Sequence, residues 1–204
     1  MDAPAKILLA SSNRGKLAEF QALAAAATGP IPAMELFPGF ASLPKFEESA
    51  PTFAENAAGK ASHYSRFTEL PVLADDSGLV VPALDGAPGV HSARYAGPGA
   101  SDSDKIQKLI AEMRGKTGEA RAARFVCVLA LAHRGRVYAI TSDFAAGMLL
   151  DAPRGTSGFG YDPLFYMSEL DKTFAELSRE EKNRLSHRGK AFRRMLAALT
   201  TASA

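Results

Sequence analysis

Four short stretches of the chain carry the residues best able to do chemistry. In "SSNRGK", residues 11–16, small polar side chains, a glycine and a lysine follow an apolar run and precede a helical pattern. At such a junction Ser11, Ser12, Asn13, Arg14 and Gly15 leave backbone N–H groups at the positive end of a helix. Lys16 then adds its ammonium one turn in, which is how an anion site is built. The G-x-x-x-x-G-K-[ST] spacing of a P-loop is absent, and an ordinary N-cap by Ser12 or Asn13 beside a solvated lysine accounts for the same letters. In "PVLADDSGLVV", 71–81, Asp75 and Asp76 stand between two apolar runs, with Glu47 and Glu48 upstream in "KFEES". Adjacent carboxylates at the edge of a core repel each other and lose solvation. They therefore sit in an exposed turn or against something positive. Hard oxygen donors of this kind hold Mg²⁺ while waters and phosphate oxygens complete the shell.

The third stretch is "SGFGYDPLF", 157–165. Gly158 and Gly160 allow close backbone approach, and Phe159 and Tyr161 offer flat faces beside Asp162. In the fourth, "SHRGKA", 186–191, Ser186 reads as an N-cap with His187 and Arg188 in the first turn. Cations there oppose the helix dipole, a small cost that points to another use, although a surface His-Arg pair fits equally well. His63, His91 and His133 show no ligand spacing and read as structural.

The elements that must position these residues follow from periodicity. "KILLA" (6–10) and "AMELF" (33–37) read as short strands, and Gly15 to Ala27 as a helix with Leu17, Phe20 and Ala24 on one face. Thr52 and Glu55 form a capping box opening a helix towards Phe67. Residues 71–83 read as two short strands flanking an acidic turn. Asp102 to Arg114 reads as a helix, since Ile106, Leu109, Ile110 and Met113 fall on one face. "ARFVCVLALAH" and "RVYAITSDF", joined by Arg134-Gly135, read as a long hairpin, and Phe192, Met195, Leu196 and Leu199 mark a last helix. Strands interleave with helices, but the hairpin is antiparallel, so the expected fold is α/β with a mixed sheet. The Pro- and Gly-bearing stretches 82–100 and 152–163 read as functional loops.

Composition narrows the class. A chain of 204 residues, 47% hydrophobic and 23% charged, is one domain or one with two lobes, long enough to bury a core. A formal net charge of +2 gives no argument for a nucleic-acid partner. Cys127 is the only cysteine, which excludes an intramolecular disulfide and a cysteine-based zinc site and suits a reducing compartment. No apolar run approaches the roughly 18 residues of a membrane span, and the first ten residues lack the pattern of a signal peptide. The expectation is a soluble cytoplasmic protein.

Taken together, "SSNRGK", "TFAENA", "LADDSGL", "GAPGVHSARYAG", "GFGYDPLF" and "ELSREEKNRLSHRGKA" resemble, in that order and over nearly the whole chain, the inosine triphosphate pyrophosphatase family. These are house-cleaning hydrolases that remove non-standard purine nucleoside triphosphates. The resemblance implies an elongated mixed β-sheet flanked by helices, two lobes with a deep active-site cleft, a homodimer, and a Mg²⁺ cofactor with Mn²⁺ as a substitute. It implies that Ser11, Ser12, Asn13, Arg14, Gly15 and Lys16 bind the triphosphate. It makes Asp76 the catalytic carboxylate and a metal ligand, with Glu47, or its neighbour Glu48, the second acid, and Ser77 touching substrate. Phe159, Gly160, Tyr161, Asp162, His187 and Arg188 would hold the base, with Lys182 on the phosphate or base side. The implied reaction cleaves ITP, dITP or XTP between the α- and β-phosphates, giving a monophosphate and pyrophosphate.

Base choice has a physical basis. The 6-oxo group of hypoxanthine or xanthine accepts from a donor on His187 or Arg188, whereas adenine presents an amino group there and leaves both donors unpaired. Two positions depart from the family: Asp143 stands where glycine is common, near the expected dimer side, and Ser11 where threonine is common. Other readings of the same residues are a metal-dependent phosphatase, a hydrolase of modified pyrimidine nucleotides, and a non-catalytic nucleotide-binding or nucleic-acid-binding module. The intact acidic pair argues against the last.

Overall fold

A computed structural model describes residues 4–27 and 31–201. In chain order the elements are β1 (Lys6–Leu9), α1 (Arg14–Ala25), β2 (Ala33–Leu36), α2 (Phe53–Tyr64), β3 (Val72–Val80), α3 (Asp102–Glu112), β4 (Ala122–His133), β5 (Arg136–Leu149), β6 (Phe165–Met167), β7 (Lys172–Thr173), α4 (Arg179–Leu185) and α5 (His187–Thr201). Seven strands form one sheet in the order β2-β1-β3-β4-β5-β6-β7. β1 pairs parallel with β2 and with β3, while β6 pairs antiparallel with β5 and with β7, so the sheet is mixed as expected. Among the described residues no helix is long and apolar enough to cross a membrane.

Helix starts follow the capping chemistry. Thr52 caps α2 by accepting from the Glu55 N–H, and Ser101 caps α3 in a full capping box with Asp104. The β4–β5 turn places Arg134 at φ 48° and Gly135 at φ 79°, the paired positive φ of a type I′ hairpin turn. One correction stands out. Residues 72–80 are one continuous strand, not two strands around a turn. Ser77 and Gly78 are turn-forming residues by propensity, but the sheet neighbours of β3 hold them extended, and pairing overrides propensity in strands. Ser186, extended at φ −67° and ψ 153°, follows α4, which Ser178 and Glu181 open with their own capping box, and immediately precedes α5, the place expected of its N-cap.

The chain divides into two compact units. The first comprises residues up to Asp76, Cys127–Asp143 and those from His187 onward; the second comprises Ser77–Val126 and Phe144–Ser186. Each has its own core. In the first, Ile7, Leu9, Phe20, Leu73, Leu129 and Phe192 pack together, with the free thiol of Cys127 among them. In the second, Phe125, Phe165 and Phe174 form an aromatic cluster joined by Leu79, Leu109 and Met113.

Candidate active site

Because β3 runs straight through the acidic pair, Asp75 and Asp76 point to opposite faces of the sheet. Asp75 is 3% exposed and meets cations from two helices. Arg188, in the first turn of α5, donates Nε to Asp75 Oδ2 at 2.7 Å and Nη1 to Glu19 Oε2 at 2.6 Å. Lys16, in the first turn of α1, brings its Nζ to 3.3 Å from Asp75 Oδ1. Burial works to lower the Arg188 pKa, yet Asp75 and Glu19 together raise it, so the guanidinium is a fixed cation. The cation at the start of α5 thus has its use: it is the counter-ion of Asp75.

Asp76 has a different environment. It is 8% exposed and its Oδ2 has no hydrogen-bond partner among the described residues. Its neighbours come from α2 and the loop before it. Asn56 and Lys60 lie close enough to favour its ionised form, and Glu48 adds a like charge. Burial first, then Glu48, push the Asp76 pKa up to about 6, against the smaller opposing effects of Lys60 and Asn56. Lys60 is itself engaged by Glu48 and by the Asp75 carbonyl, to which it donates at 3.2 Å. Glu47, the expected second acid, is exposed, whereas Glu48 is half-buried and is the carboxylate whose charge reaches Asp76. The geometry thus favours Glu48 of the two.

These groups fit a hard divalent cation. A buried carboxylate oxygen without a hydrogen-bond partner, beside a second carboxylate that raises its pKa, is an anionic pair that a cation would relieve. Among the described residues no group of three or more His, Cys, Asp or Glu is gathered into a cage. A cation at Asp76 and Glu48 would take the rest of its shell from water and phosphate, the coordination Mg²⁺ favours.

The loop between β1 and α1 forms as its letters imply. Asn13 is the N-cap, its side chain accepting from the Lys16 N–H, and Ser11 Oγ accepts from the Asn13 N–H at 3.0 Å. Ser12, Asn13, Arg14 and Gly15 are exposed. Ser11, Ser12 and Arg14 line an open cavity of about 500 Å³ together with Phe37 and Phe40.

In the second unit, Lys182 Nζ lies 2.5 Å from Asp162 Oδ2 and 4.9 Å from the centre of the Phe159 ring. Asp162 also accepts from the Phe159 N–H at 2.9 Å, and Asp102 accepts from the Gly160 N–H at 2.6 Å. Phe159 is 39% exposed and presents its ring. Tyr161 does not, contrary to its expected role as a second flat face. At 3% exposure it belongs to the core, its hydroxyl donating to the Ser92 carbonyl. Burial raises its pKa, keeping it a neutral donor. A Cβ at Gly158, whose φ is +81°, would lie 2.1 Å from Asp162 Oδ2, so this turn requires glycine. Ser77, half-buried, follows Asp76 on β3.

The first unit therefore gathers Lys16, Arg188 and Glu19 around Asp75, and Asn56, Lys60 and Glu48 around Asp76. The second gathers Phe159, Asp162 and Lys182. His187 is buried at the start of α5. Asp143, the residue that departs from the family, accepts from Arg194 at 2.6 Å, so its charge is balanced within its own unit. Asn56, Lys60 and Glu19 were not among the residues singled out from sequence. The signal for the first two lies in "TFAENAAGKA": four residues apart on one helix, they share a face.

Comparison with known proteins follows the same lines. Residues 7–198 match the Ham1 family. A dITP/XTP pyrophosphatase from Geobacillus kaustophilus is 49% identical over 190 residues, covering 93% of this chain and 92% of that protein. A dITP/XTP pyrophosphatase from Geobacter sulfurreducens is 48% identical over 186 residues, covering 91% and 92%. The structure of a HAM1 protein from Coxiella burnetii superposes with a TM-score of 0.83 at 42% identity, covering 96% of this chain and 98% of that one.

Proposed function

Because the chain belongs to the Ham1 family, we propose that it hydrolyses the non-canonical purine triphosphates dITP, ITP and XTP to the nucleoside monophosphate and pyrophosphate, with Asp76 as the catalytic carboxylate. The observation that carries this assignment is the Asp76 side chain: buried beside Glu48, with one oxygen lacking a hydrogen-bond partner among the described residues. A carboxylate oxygen with no hydrogen-bond partner is open to orient an attacking water and take its proton, as a general base requires.

The water oxygen attacks the α-phosphorus, the bond to the α-β bridging oxygen breaks, and that oxygen leaves on pyrophosphate. A divalent cation held by Asp76 and Glu48, Mg²⁺ or Mn²⁺, would neutralise charge accumulating on the phosphate oxygens. On the chain itself, Lys16 and the exposed amides of residues 12–15 hold the triphosphate at the α1 N-terminus. Lys16 is well placed to do so, because its 3.3 Å contact with Asp75 is long for an ion pair and leaves the ammonium able to reorient. Phe159 supplies a face for the base, with Lys182 fixed beside it by Asp162. Ser77, next to Asp76 on β3, contacts substrate. His187 and Arg188 supply the donors for the 6-oxo group, Arg188 being oriented by Asp75 and Glu19. Adenine, with an amino group at that position, is selected against.

We assign the homodimer to the face of β5 that carries Tyr138, Ile140 and Phe144, three exposed large apolar residues two and four positions apart on one strand. A reducing cytoplasm suits the single buried thiol. The test of the reaction is a nucleotide panel scored for both products. Pyrophosphate from dITP, ITP and XTP, with little turnover of ATP, is the expected result. Release of orthophosphate would make the protein a phosphatase, and comparable rates on ATP would remove the base-reading role from His187 and Arg188.

A further inference from the structure

Glu48 lies on a stretch without regular secondary structure, residues 43–52, yet the reaction proposed above needs it at a fixed place beside Asp76. The contacts of that stretch with α2 show how it is held. Asn56, 1% exposed, uses its whole amide. Its Oδ1 accepts from the Ala50 N–H at 3.0 Å and its Nδ2 donates to the Ala50 carbonyl at 3.2 Å, while the same amide lies close enough to the Asp76 carboxylate to favour its ionised form. Two residues before Glu48, Phe46 lies against Gly59, where a Cβ would stand 2.5 Å from the ring. The Phe46 N–H donates to the Tyr64 hydroxyl at 3.2 Å, and the Pro44 carbonyl meets His63 Nε2 at 2.8 Å. Lys60 takes Glu48 itself. Successive contacts from residues 56 to 64 of one helix thus fasten the stretch on both sides of Glu48, and Asn56 holds its Ala50 from both sides while lying, like Lys60, beside Asp76.

We propose that Asn56 is a positioning residue that sets Glu48 and Asp76 at the separation a divalent cation needs, with the Gly59–Phe46 contact as its second anchor. This rests on the assignment of a cation to Asp76. Asn56 does not itself ligate the ion; its amide fixes the two carboxylates relative to each other, as outer partners of metal ligands do. A residue that served only the stability of α2 would lower the melting temperature of the protein without moving its affinity for metal.

Calorimetric titration of Mn²⁺ into nucleotide-free protein separates these roles. For Asn56→Ala the Mn²⁺ Kd is expected to rise about 10- to 100-fold, with a cooperative melt retained. Turnover of dITP falls at limiting Mg²⁺ and recovers towards wild type as Mg²⁺ is raised, while KM for dITP at saturating Mg²⁺ stays unchanged. Gly59→Ala, which displaces Phe46 and leaves Asn56 in place, is expected to weaken Mn²⁺ in the same direction, and Gly59→Ala with Phe46→Leu to recover affinity. A folded Asn56→Ala protein with the wild-type Mn²⁺ Kd overturns the proposal; if that variant does not fold, a wild-type Kd in Gly59→Ala overturns it instead. Equal Mn²⁺ binding by wild type and Asp76→Asn would show that the cation is not at Asp76, a failure of the underlying reading rather than of Asn56 alone.

Discussion

On β3, two aspartates one residue apart occupy opposite electrostatic circumstances. Asp75 faces α1 and α5 and is met by Lys16 and Arg188, the latter braced by Glu19. Asp76 faces α2, where Glu48 adds like charge and Lys60 is already divided between Glu48 and the Asp75 carbonyl. The pleat makes this possible, because neighbouring strand residues do not share a face. One carboxylate holds the structure together. The other is kept short of partners, and that shortage makes it able to take a proton or a cation.

The sharpest way to break this comparison is to neutralise each acid and follow dITP turnover. Asp76→Asn is expected to lower kcat by about two to four decades, since in the proposed reaction it removes both the base and a cation ligand. Asp75→Asn, which touches neither, is expected to cost at most about one decade, through Lys16. Equal losses would mean that Asp75 shares the chemistry. Next in size, Glu48→Gln should reduce turnover at limiting Mg²⁺ by about 10- to 100-fold, while Glu47→Gln leaves it within about twofold. The reverse order would restore Glu47 as the second acid.

How far the sequence foretold this is best seen at the same residues. The strand, loop and capped helix around "SSNRGK" were legible, because apolar runs, small polar residues and N-cap chemistry are local signals. The paired acids were legible as a candidate site but not as two environments. Ser77 and Gly78 look like a turn, and only the sheet pairing that keeps β3 extended separates the two side chains. Glu47 and Glu48 could not be told apart, since their stretch has no periodicity of its own and its place is set by Asn56, Gly59 and Lys60 from a neighbouring helix. Tyr161 read as a flat face beside Phe159, yet the turn that exposes Phe159 drives Tyr161 into the core.

Smaller effects sharpen the contrast with the second unit. Lys16→Ala should lower kcat/KM for dITP, ITP and ATP together, by about 1.5–3 kcal/mol for one charge-assisted contact, leaving their ratios unchanged. A change in the ITP-to-ATP ratio would move Lys16 to the base. Gly158→Ala should destabilise the turn around Phe159 by about 1–3 kcal/mol, because alanine must adopt φ +81° with its Cβ against Asp162. A variant as stable as wild type with full dITP turnover would show that Lys182–Asp162 tolerates displacement.

The division of labour between the two acids is tested most directly by unfolding free energy in chelator, measured for Asp75→Asn and Asp76→Asn across pH. Asp76 has its folded pKa raised to about 6 from an ordinary 3.8. Its ionised form therefore burdens the fold, fully above pH 6, progressively less between 6 and 3.8, and not at all below. Asp76→Asn should accordingly be more stable than wild type at pH 8, by about 1–3 kcal/mol, with the gain gone by pH 4. Asp75→Asn should be less stable at pH 8, by about 3–5 kcal/mol, because Arg188 and Lys16 lose a buried partner. Opposite signs at pH 8 are the predicted result. The same sign for both variants would contradict the account.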